Sequence, residues 1–217
     1  MQIKVCGITN LEDALLAVEL GVDALGFVFY PPSPRYIGPG EALKIIERLP
    51  AEICKVGVFV DERPHKVRSI FHDLNLNLVQ LHGHETPQYF LAMADLPLIK
   101  AIRGHGQELE YLKEYKRLWA LLLDGFDPRV HHCTGRLANW QLAPRIRTGH
   151  RLVLAGGLNQ GNLAEAVKVV LPDAIDVSSG IEKSPGRKDE SKMIRFVKLA
   201  RQLCSKFSGR PVFNRCG

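Results

Sequence analysis

The sequence predicts a (β/α)8 TIM barrel formed by a single domain. Eight short β-branched or apolar runs recur along the chain, and amphipathic segments with helical spacing lie between them. Strands that alternate with helices indicate a parallel sheet, and eight such units allow the sheet to close. The length of 217 residues fits one such barrel, because α/β barrels commonly run about 200–250 residues as one unit. An open, doubly wound sheet is the alternative, but the first strand lacks a following G-x-G-x-x-G.

The predicted elements follow one another as strand and helix along most of the chain. The predicted strands are Ile3–Ile8, Ala24–Phe29, Cys54–Val60, Leu78–His82, Leu98–Ile102, Trp119–Asp124, Leu152–Gly156 and Ala174–Ser178. The predicted helices are Leu11–Leu20, Gly40–Leu49, His65–Leu74, Pro87–Ala94, Asn162–Leu171 and Asp189–Leu203. Two intervals are less regular: a short helix is expected at Glu108–Lys116, and a long loop with a short helix at Gly125–His150. The barrel domain is expected to span residues 1–205, and residues 206–217 to form a flexible basic tail.

Composition and charge narrow the class of protein. The chain is 46% apolar, but none of its apolar runs approaches the roughly 20 residues of a membrane span, and its start has no secretory pattern. The five cysteines show no C-x-x-C spacing, which favours a reduced, cytoplasmic protein. The net charge of +6 comes partly from the tail, and no basic stripe is interleaved with aromatic residues. We therefore expect a small anionic substrate rather than a nucleic acid.

Side chains capable of chemistry collect at the predicted carboxyl ends of the strands, which meet on one rim of a barrel. Cys6 ends the first strand beside a glycine, and Asp124 ends the sixth strand. Arg35 lies in the loop after the second strand, while Gln80 and His82 share one face of the fourth. A small, buried and inert thiol is the alternative interpretation of Cys6, because free cysteines are often buried.

Two glycine-bearing turns predict a phosphate site. Gly156 and Gly157 follow the seventh strand, and Ser179 and Gly180 follow the eighth. Exposed backbone N–H groups at helix N-termini bind phosphate, and the last two strands of such barrels are the usual place for it. The alternative is that these glycines only permit tight turns.

Seven segments, in register from about residue 3 to residue 203, carry specific motifs. They are K-V-C-G-I-T-N, G-F-V-F-Y-P-x-S-P-R-Y-I, V-G-V-F-V, V-Q-L-H-G, L-L-L-D, L-A-G-G-L-N and D-V-S-S-G-I-E-x-S-P-G-x-K-D. These segments resemble the phosphoribosylanthranilate isomerase family of tryptophan biosynthesis. The resemblance implies an Amadori rearrangement of N-(5′-phosphoribosyl)anthranilate to 1-(o-carboxyphenylamino)-1-deoxyribulose 5-phosphate without a cofactor. The oligomeric state stays open between monomer and homodimer, and no membrane partner is expected.

The resemblance also implies roles for individual residues. Asp124 would be the general acid that protonates the furanose ring oxygen, and Cys6 the general base that removes the C2′ proton. Arg35 would bind the anthranilate carboxylate, because a guanidinium group matches that geometry with two parallel hydrogen bonds. The glycine-bearing turns would hold the phosphate, and Gln80 and His82 would reach the same mouth.

Other functions remain as alternatives. A thiol hydrolase built on Cys6 and His82 would need a third orienting group, which the sequence does not supply at a readable spacing. Another phosphosugar barrel, such as indole-glycerol-phosphate synthase, would not require the Cys6 and Asp124 pair. The run His131-His132-Cys133 lacks the partner spacing of a metal site. A catalytically inactive barrel that serves as a scaffold is the remaining alternative.

Two further expectations concern specific places. The loop after the sixth strand departs from the family pattern: His132 and Cys133 stand where the family has a pair of glycines. We expect Gly125–Asn139 to be mobile without substrate and to close over its anthranilate end. Strand alternation also puts Lys4 on the face of Cys6, and strands one and eight are neighbours in a closed barrel. Lys4 and Asp176 are therefore expected to form a buried pair below the thiol.

Overall fold

The computed structural model describes residues 1–103, 118–124, 140–146, 149–204 and 209–213. Eight parallel strands form a closed barrel in chain order, with the eighth strand paired to the first. They are β1 (Gln2–Cys6), β2 (Ala24–Val28), β3 (Cys54–Phe59), β4 (Leu78–Leu81), β5 (Leu98–Ile102), β6 (Ala120–Leu123), β7 (Leu152–Leu154) and β8 (Ala174–Val177). The predicted fold class is therefore confirmed.

Helices follow most strands and pack on the outside of the barrel. They are α1 (Leu11–Glu19), α2 (Pro39–Ile46), α3 (Pro64–Asp73), α4 (Pro87–Leu91), α5 (Ala143–Ile146), α6 (Leu163–Val170) and α7 (Glu190–Cys204). A 3-10 turn at Ser179–Ile181 follows β8 and leads into a hairpin of β9 (Glu182–Ser184) and β10 (Arg187–Lys188). This hairpin is absent from the predicted elements.

Local chemistry explains where several helices begin. The Asn10 side chain accepts a hydrogen bond from the Asp13 N–H and so caps α1. Helices α2, α3 and α4 each begin with a proline, whose fixed φ suits the first helical position. The predicted strands mostly run one or two residues too far, as at β1, where Gly7 has φ of +76° and turns the chain out of the sheet.

The strand pleat divides the core into two layers. Outward residues such as Ile3, Val5 and Phe27 pack against the helices. Inward residues such as Ala24, Val56 and Leu122 fill the lower half of the barrel. The upper half of the lumen receives polar side chains from several strands, including Lys4, Gln80 and Asp176. The apolar floor thus supports a polar mouth.

Residues 209–213 are packed against the barrel, within the stretch 206–217 that the sequence predicts as a flexible basic tail. These residues, here called the docked tail, pack against the amino-terminal end of the barrel. Val212 and Phe213 are buried there against the inward residues that fill the lower half of the barrel. The Gln2 Oε1 atom accepts hydrogen bonds from both of their N–H groups at 2.5 and 2.7 Å, and Trp119 Nε1 donates to the Val212 carbonyl. The apolar pair explains the docking, because it covers the floor of the barrel.

Some predictions lie outside the described residues. These are the helix at Glu108–Lys116, the mobility of Gly125–Asn139 and the run His131-His132-Cys133. The short helix expected before His150 is present as α5. None of the helices in the described ranges is long and apolar enough to cross a membrane.

Candidate active site

Cys6 and Asp124 lie at the carboxyl ends of β1 and β6, on different sides of the barrel mouth. Both side chains point inward and are almost buried, with 7% and 5% of each residue exposed. Burial raises the pKa of the Cys6 thiol, while the neighbouring Lys4 opposes that rise. A thiol and a carboxyl group therefore face one shared space from separate strands, as an acid and a base acting on one substrate require.

A hydrogen-bonded row fixes the carboxyl group of Asp124. His82 Nε2 lies 2.8 Å from Asp124 Oδ2, and the Gln80 amide nitrogen lies 2.9 Å from His82 Nδ1. With the Gln80 amide donating to Nδ1, a neutral imidazole carries its hydrogen on Nε2 and donates it to Asp124. Both ring nitrogens of His82 are thereby used, so the imidazole is not arranged to activate Cys6 as in a thiol hydrolase.

The two glycine-bearing turns lie side by side above β7 and β8. Gly156 and Gly157 have φ of +79° and +64°, a left-handed conformation that glycine adopts readily. A Cβ on Gly180 would overlap the carbonyl oxygen of Leu158, so the turns touch. Among the described residues, none accepts a hydrogen bond from the N–H groups of Gly156, Gly157, Ser179 or Gly180. Adjacent unpaired N–H groups of this kind form an anion-binding concavity.

The expected helix does not follow the glycines directly. Helix α6 begins at Leu163, six residues after Gly157, and Ser179 opens a 3-10 turn. The side chains of Asn159 and Asn162 instead donate to the Gly157 carbonyl at 3.1 and 2.9 Å, which holds the turn in place. The unpaired N–H groups therefore belong to turns, not to the first turn of a long helix.

Arg35 lies beside the mouth, but its guanidinium group is engaged by a carboxylate of the protein. Arg35 Nε and Nη2 lie 2.9 and 2.7 Å from the two oxygens of Glu182, and both side chains are buried. The same carboxylate accepts a hydrogen bond from Lys188 Nζ at 2.9 Å. Burial opposes ionisation of Glu182, but Arg35 and Lys188 together hold its pKa below the ordinary value.

Glu182 and Lys188 are site residues that the sequence reasoning missed. Lys188 Nζ also donates to the Cys6 carbonyl at 2.6 Å, so the β9–β10 hairpin is tied to the end of β1. Glu182 links the same hairpin to the loop that carries Arg35. The signal was present in the last motif, where a glutamate and a lysine flank a Pro-Gly turn six residues apart. A turn of that kind predicts a hairpin that brings two opposite charges together.

The predicted pair below the thiol is confirmed. Lys4 Nζ lies 2.7 Å from Asp176 Oδ2, and both side chains point into the barrel. Their α-carbons are register partners across β1 and β8, as alternation along the two strands requires. Burial opposes the charge of Lys4, but the Asp176 carboxylate raises the pKa of Lys4 above its ordinary value.

In the part of the chain that the structure describes, no three histidine, cysteine, aspartate or glutamate side chains come together so that they could hold a metal ion. The candidate site therefore consists of a thiol, a carboxyl group, the three buried cations Lys4, Arg35 and Lys188, and a set of backbone N–H groups. This combination supports proton transfer on a phosphorylated substrate.

Comparison with known proteins points in the same direction. The family model described as N-(5'phosphoribosyl)anthranilate (PRA) isomerase matches residues 3–199. The N-(5'-phosphoribosyl)anthranilate isomerase of Trichlorobacter lovleyi is 47% identical over 204 residues, covering 93% of this chain and 98% of the relative. The enzyme of the same name from Geobacter sp. strain M21 is 49% identical over 203 residues, with the same two coverages.

Solved structures give the same result. The phosphoribosyl anthranilate isomerase of Thermotoga maritima superposes with a TM-score of 0.85 at 42% identity, covering 93% of this chain and 99% of that one. A phosphoribosyl anthranilate isomerase in complex with reduced 1-(o-carboxyphenylamino)-1-deoxyribulose 5-phosphate superposes with a TM-score of 0.81 at 42% identity and the same coverages.

Proposed function

The chain belongs to the N-(5'-phosphoribosyl)anthranilate isomerase family, and we propose that its barrel mouth converts N-(5′-phosphoribosyl)anthranilate to 1-(o-carboxyphenylamino)-1-deoxyribulose 5-phosphate. The observation that supports this most directly is the arrangement of Cys6 and Asp124. A buried thiol and a buried carboxyl group end different strands of one barrel, beside two turns whose N–H groups have no acceptor among the described residues. This rearrangement needs an acid, a base and a phosphate site, and the mouth offers all three.

The proposed first step opens the sugar ring. The carboxyl group of Asp124 gives its proton to the furanose oxygen, the bond from C1′ to that oxygen breaks, and the nitrogen lone pair forms a C=N bond. His82 holds the carboxyl group at 2.8 Å and so directs its remaining oxygen toward the mouth. The product of this step is an open-chain Schiff base.

The second step moves a proton from carbon. The Cys6 thiolate takes the C2′ proton, and the electron pair left behind forms a C1′=C2′ double bond as the iminium nitrogen becomes neutral. The resulting enolamine tautomerises to the ketone: C1′ gains a proton and the 2′-hydroxyl loses one. Proton transfer by positioned side chains typically contributes about 10²–10⁴-fold to a rate.

The remaining site residues position the substrate. The N–H groups of Gly156, Gly157, Ser179 and Gly180 would bind the 5′-phosphate at the end opposite the aromatic ring. Arg35 is fixed by Glu182 before substrate arrives, so its orientation toward the anthranilate carboxylate costs little on binding. Gln80 would act through His82. We further propose a cytoplasmic enzyme that is either a monomer or a homodimer; the Thermotoga maritima relative is known as a dimer and as monomers generated from it.

The activity is tested with the full chain and the coupled transferase. Anthranilate, phosphoribosyl pyrophosphate and anthranilate phosphoribosyltransferase generate the fluorescent phosphoribosylanthranilate, and the chain is then added. We expect its fluorescence to fall at a rate proportional to the chain added, with a product of unchanged mass, since the reaction is an isomerisation. Fluorescence that falls no faster than without the chain contradicts the proposal.

A further inference from the structure

Lys4 occupies an unusual place for a lysine, in the lumen of the barrel with no exposed surface. It lies two residues before Cys6 on β1, so both side chains point to the same side of the strand. Its ammonium group is paired with Asp176 Oδ2 at 2.7 Å. The other carboxylate oxygen, Oδ1, is buried and has no hydrogen-bond partner among the described residues. Because a buried ion pair is often no more stabilising than apolar side chains of similar size, the stability of the fold does not by itself explain this pair.

Gly26 on β2 brings the lysine and the thiol into one small space. A Cβ on Gly26 would stand 2.8 Å from Cys6 Sγ and 3.1 Å from Lys4 Nζ. Gly26 is the register partner of Cys6, so the contact is built into the pairing of β1 with β2. The absence of a side chain at this position lets the ammonium group and the sulfur approach the same point.

The charged groups around the sulfur act in opposite directions. Burial raises the pKa of Cys6; the positive charges of Lys4 and Lys188 lower it, and the negative charge of Asp176 raises it. Lys4 comes from the same strand, Asp176 from β8 and Lys188 from the β9–β10 hairpin, while β2 contributes the uncharged residues Gly26 and Val28. His82 and Asp124, paired across the mouth, are further titratable groups at the lumen, and Tyr30 packs against the cluster that contains Cys6.

We propose that Lys4 and Asp176 are positioning residues that set how readily the Cys6 thiol gives up its proton. The ammonium group of Lys4 favours the thiolate, and Asp176 holds that ammonium group below the sulfur and moderates its effect. This inference rests on the proposed role of Cys6 as the base. It adds two residues to the reaction: Lys4, which lies beside the base, and Asp176, which contacts Lys4.

Two substitutions are expected to shift the Cys6 thiol in opposite directions. Lys4→Met removes the positive charge at nearly constant length, so the pH at which the thiol ionises rises by at least about one unit. Asp176→Asn removes the negative charge but keeps an oxygen that accepts the Lys4 hydrogen bond, so that pH falls. A loss of packing alone does not produce shifts of opposite sign.

Alkylation measures the ionisation of the Cys6 thiol directly. Iodoacetamide reacts with the thiolate, whose sulfur displaces iodide, and the rate is measured against pH by mass spectrometry of the peptide that contains Cys6. The pH dependence of kcat/KM is measured on the same variants. Lys100→Met is the control: Lys100 forms an equally buried pair with Glu85 at 2.7 Å, but on the outer face of β5. It is expected to lose stability without moving the alkylation midpoint.

The outcomes separate the inference from the proposed function. Two results together support both: the midpoint pH of alkylation moves up in Lys4→Met and down in Asp176→Asn, and the acid limb of the pH dependence of kcat/KM moves in the same way. Midpoints that move as expected while the acid limb stays fixed support the inference and contradict the role of Cys6 as the base. Midpoints that stay within about 0.3 unit of the parent, or move in the same direction in both variants, overturn the inference. If Lys4→Met does not fold, the downward shift in Asp176→Asn decides it.

Discussion

Removing the apolar side chains of the docked tail tests whether it stabilises the barrel. The perturbation is the double substitution Val212→Ala and Phe213→Ala, at residues that are 0% and 3% exposed. The tail lies at the amino-terminal end of the barrel, away from Cys6 and Asp124, because Gln2 at the start of β1 holds it. We therefore expect lower stability with unchanged kcat.

The size of the effect follows from burial and from the cost of ordering a chain end. Burying a valine or phenylalanine side chain contributes about 1.5–3 kcal/mol each. The conformational entropy lost when the tail is ordered opposes docking, and the hydrogen bonds to Gln2 and from Trp119 help to offset it. If the tail detaches while the barrel stays folded, the loss in the double variant is limited to the net free energy of docking and is smaller than the full burial term. A loss of about 2 kcal/mol corresponds to a fall in Tm of roughly 4–8 °C for a domain of this size.

The assay combines thermal unfolding with the fluorescence of Trp119, whose indole N–H donates to the Val212 carbonyl. Detachment of the tail exposes that indole, so its emission moves to longer wavelength; a Trp140→Phe background leaves Trp119 as the one reporter among the two tryptophans. Val169→Ala, at a residue that is 54% exposed on α6, is the control and should leave Tm nearly unchanged. A double variant with a Tm within about 1 °C of the parent and unshifted emission would refute the reasoning.

Two further predictions concern the phosphate turns and Asp173, whose carboxylate accepts hydrogen bonds from Arg210 of the docked tail. Gly180→Ala forces a Cβ onto the Leu158 carbonyl, so KM should rise by at least about tenfold. Gly40→Ala, where a Cβ meets open space, should leave KM unchanged, and equal kinetics in both variants would show that the turns do not bind substrate. Burial opposes ionisation of Asp173, but the Leu152 N–H and Arg210 hold its pKa below the ordinary value, so its stabilisation is present above about pH 4 and is lost as pH falls through the native value. Asp173→Asn should therefore lower the free energy of unfolding at pH 7 more than at pH 3, and an equal loss at both pH values would contradict this.

The sequence was sufficient for the barrel because each strand carries its own signal. Eight apolar runs with helical segments between them predict the closed sheet. Strand alternation, together with the closure of the barrel between strands one and eight, predicts the contact between Lys4 and Asp176, which is confirmed at 2.7 Å. Regular strands make such inferences possible, because their two-residue period fixes which side chains share a face.

The sequence was less informative where contacts join separate loops. The pairing of Arg35 with Glu182 depends on how two loops fold over the mouth, which no periodicity encodes. The docked tail was missed for a related reason: its two apolar residues are too few to show a period, and their partner surface is formed only when the barrel closes. The predicted strands were too long at turns such as Gly7, where a positive φ ends the strand before the apolar pattern ends.

The central claim, that Cys6 and Asp124 transfer the protons, is tested most directly by kcat for the fluorescent substrate in three single variants. Cys6→Ala and Asp124→Asn should each lower kcat by at least about 10²-fold with little change in Tm. Cys54→Ala, which removes a buried thiol from the floor of the same barrel, should retain nearly full kcat. A Cys6→Ala variant with near-parental kcat would contradict the account.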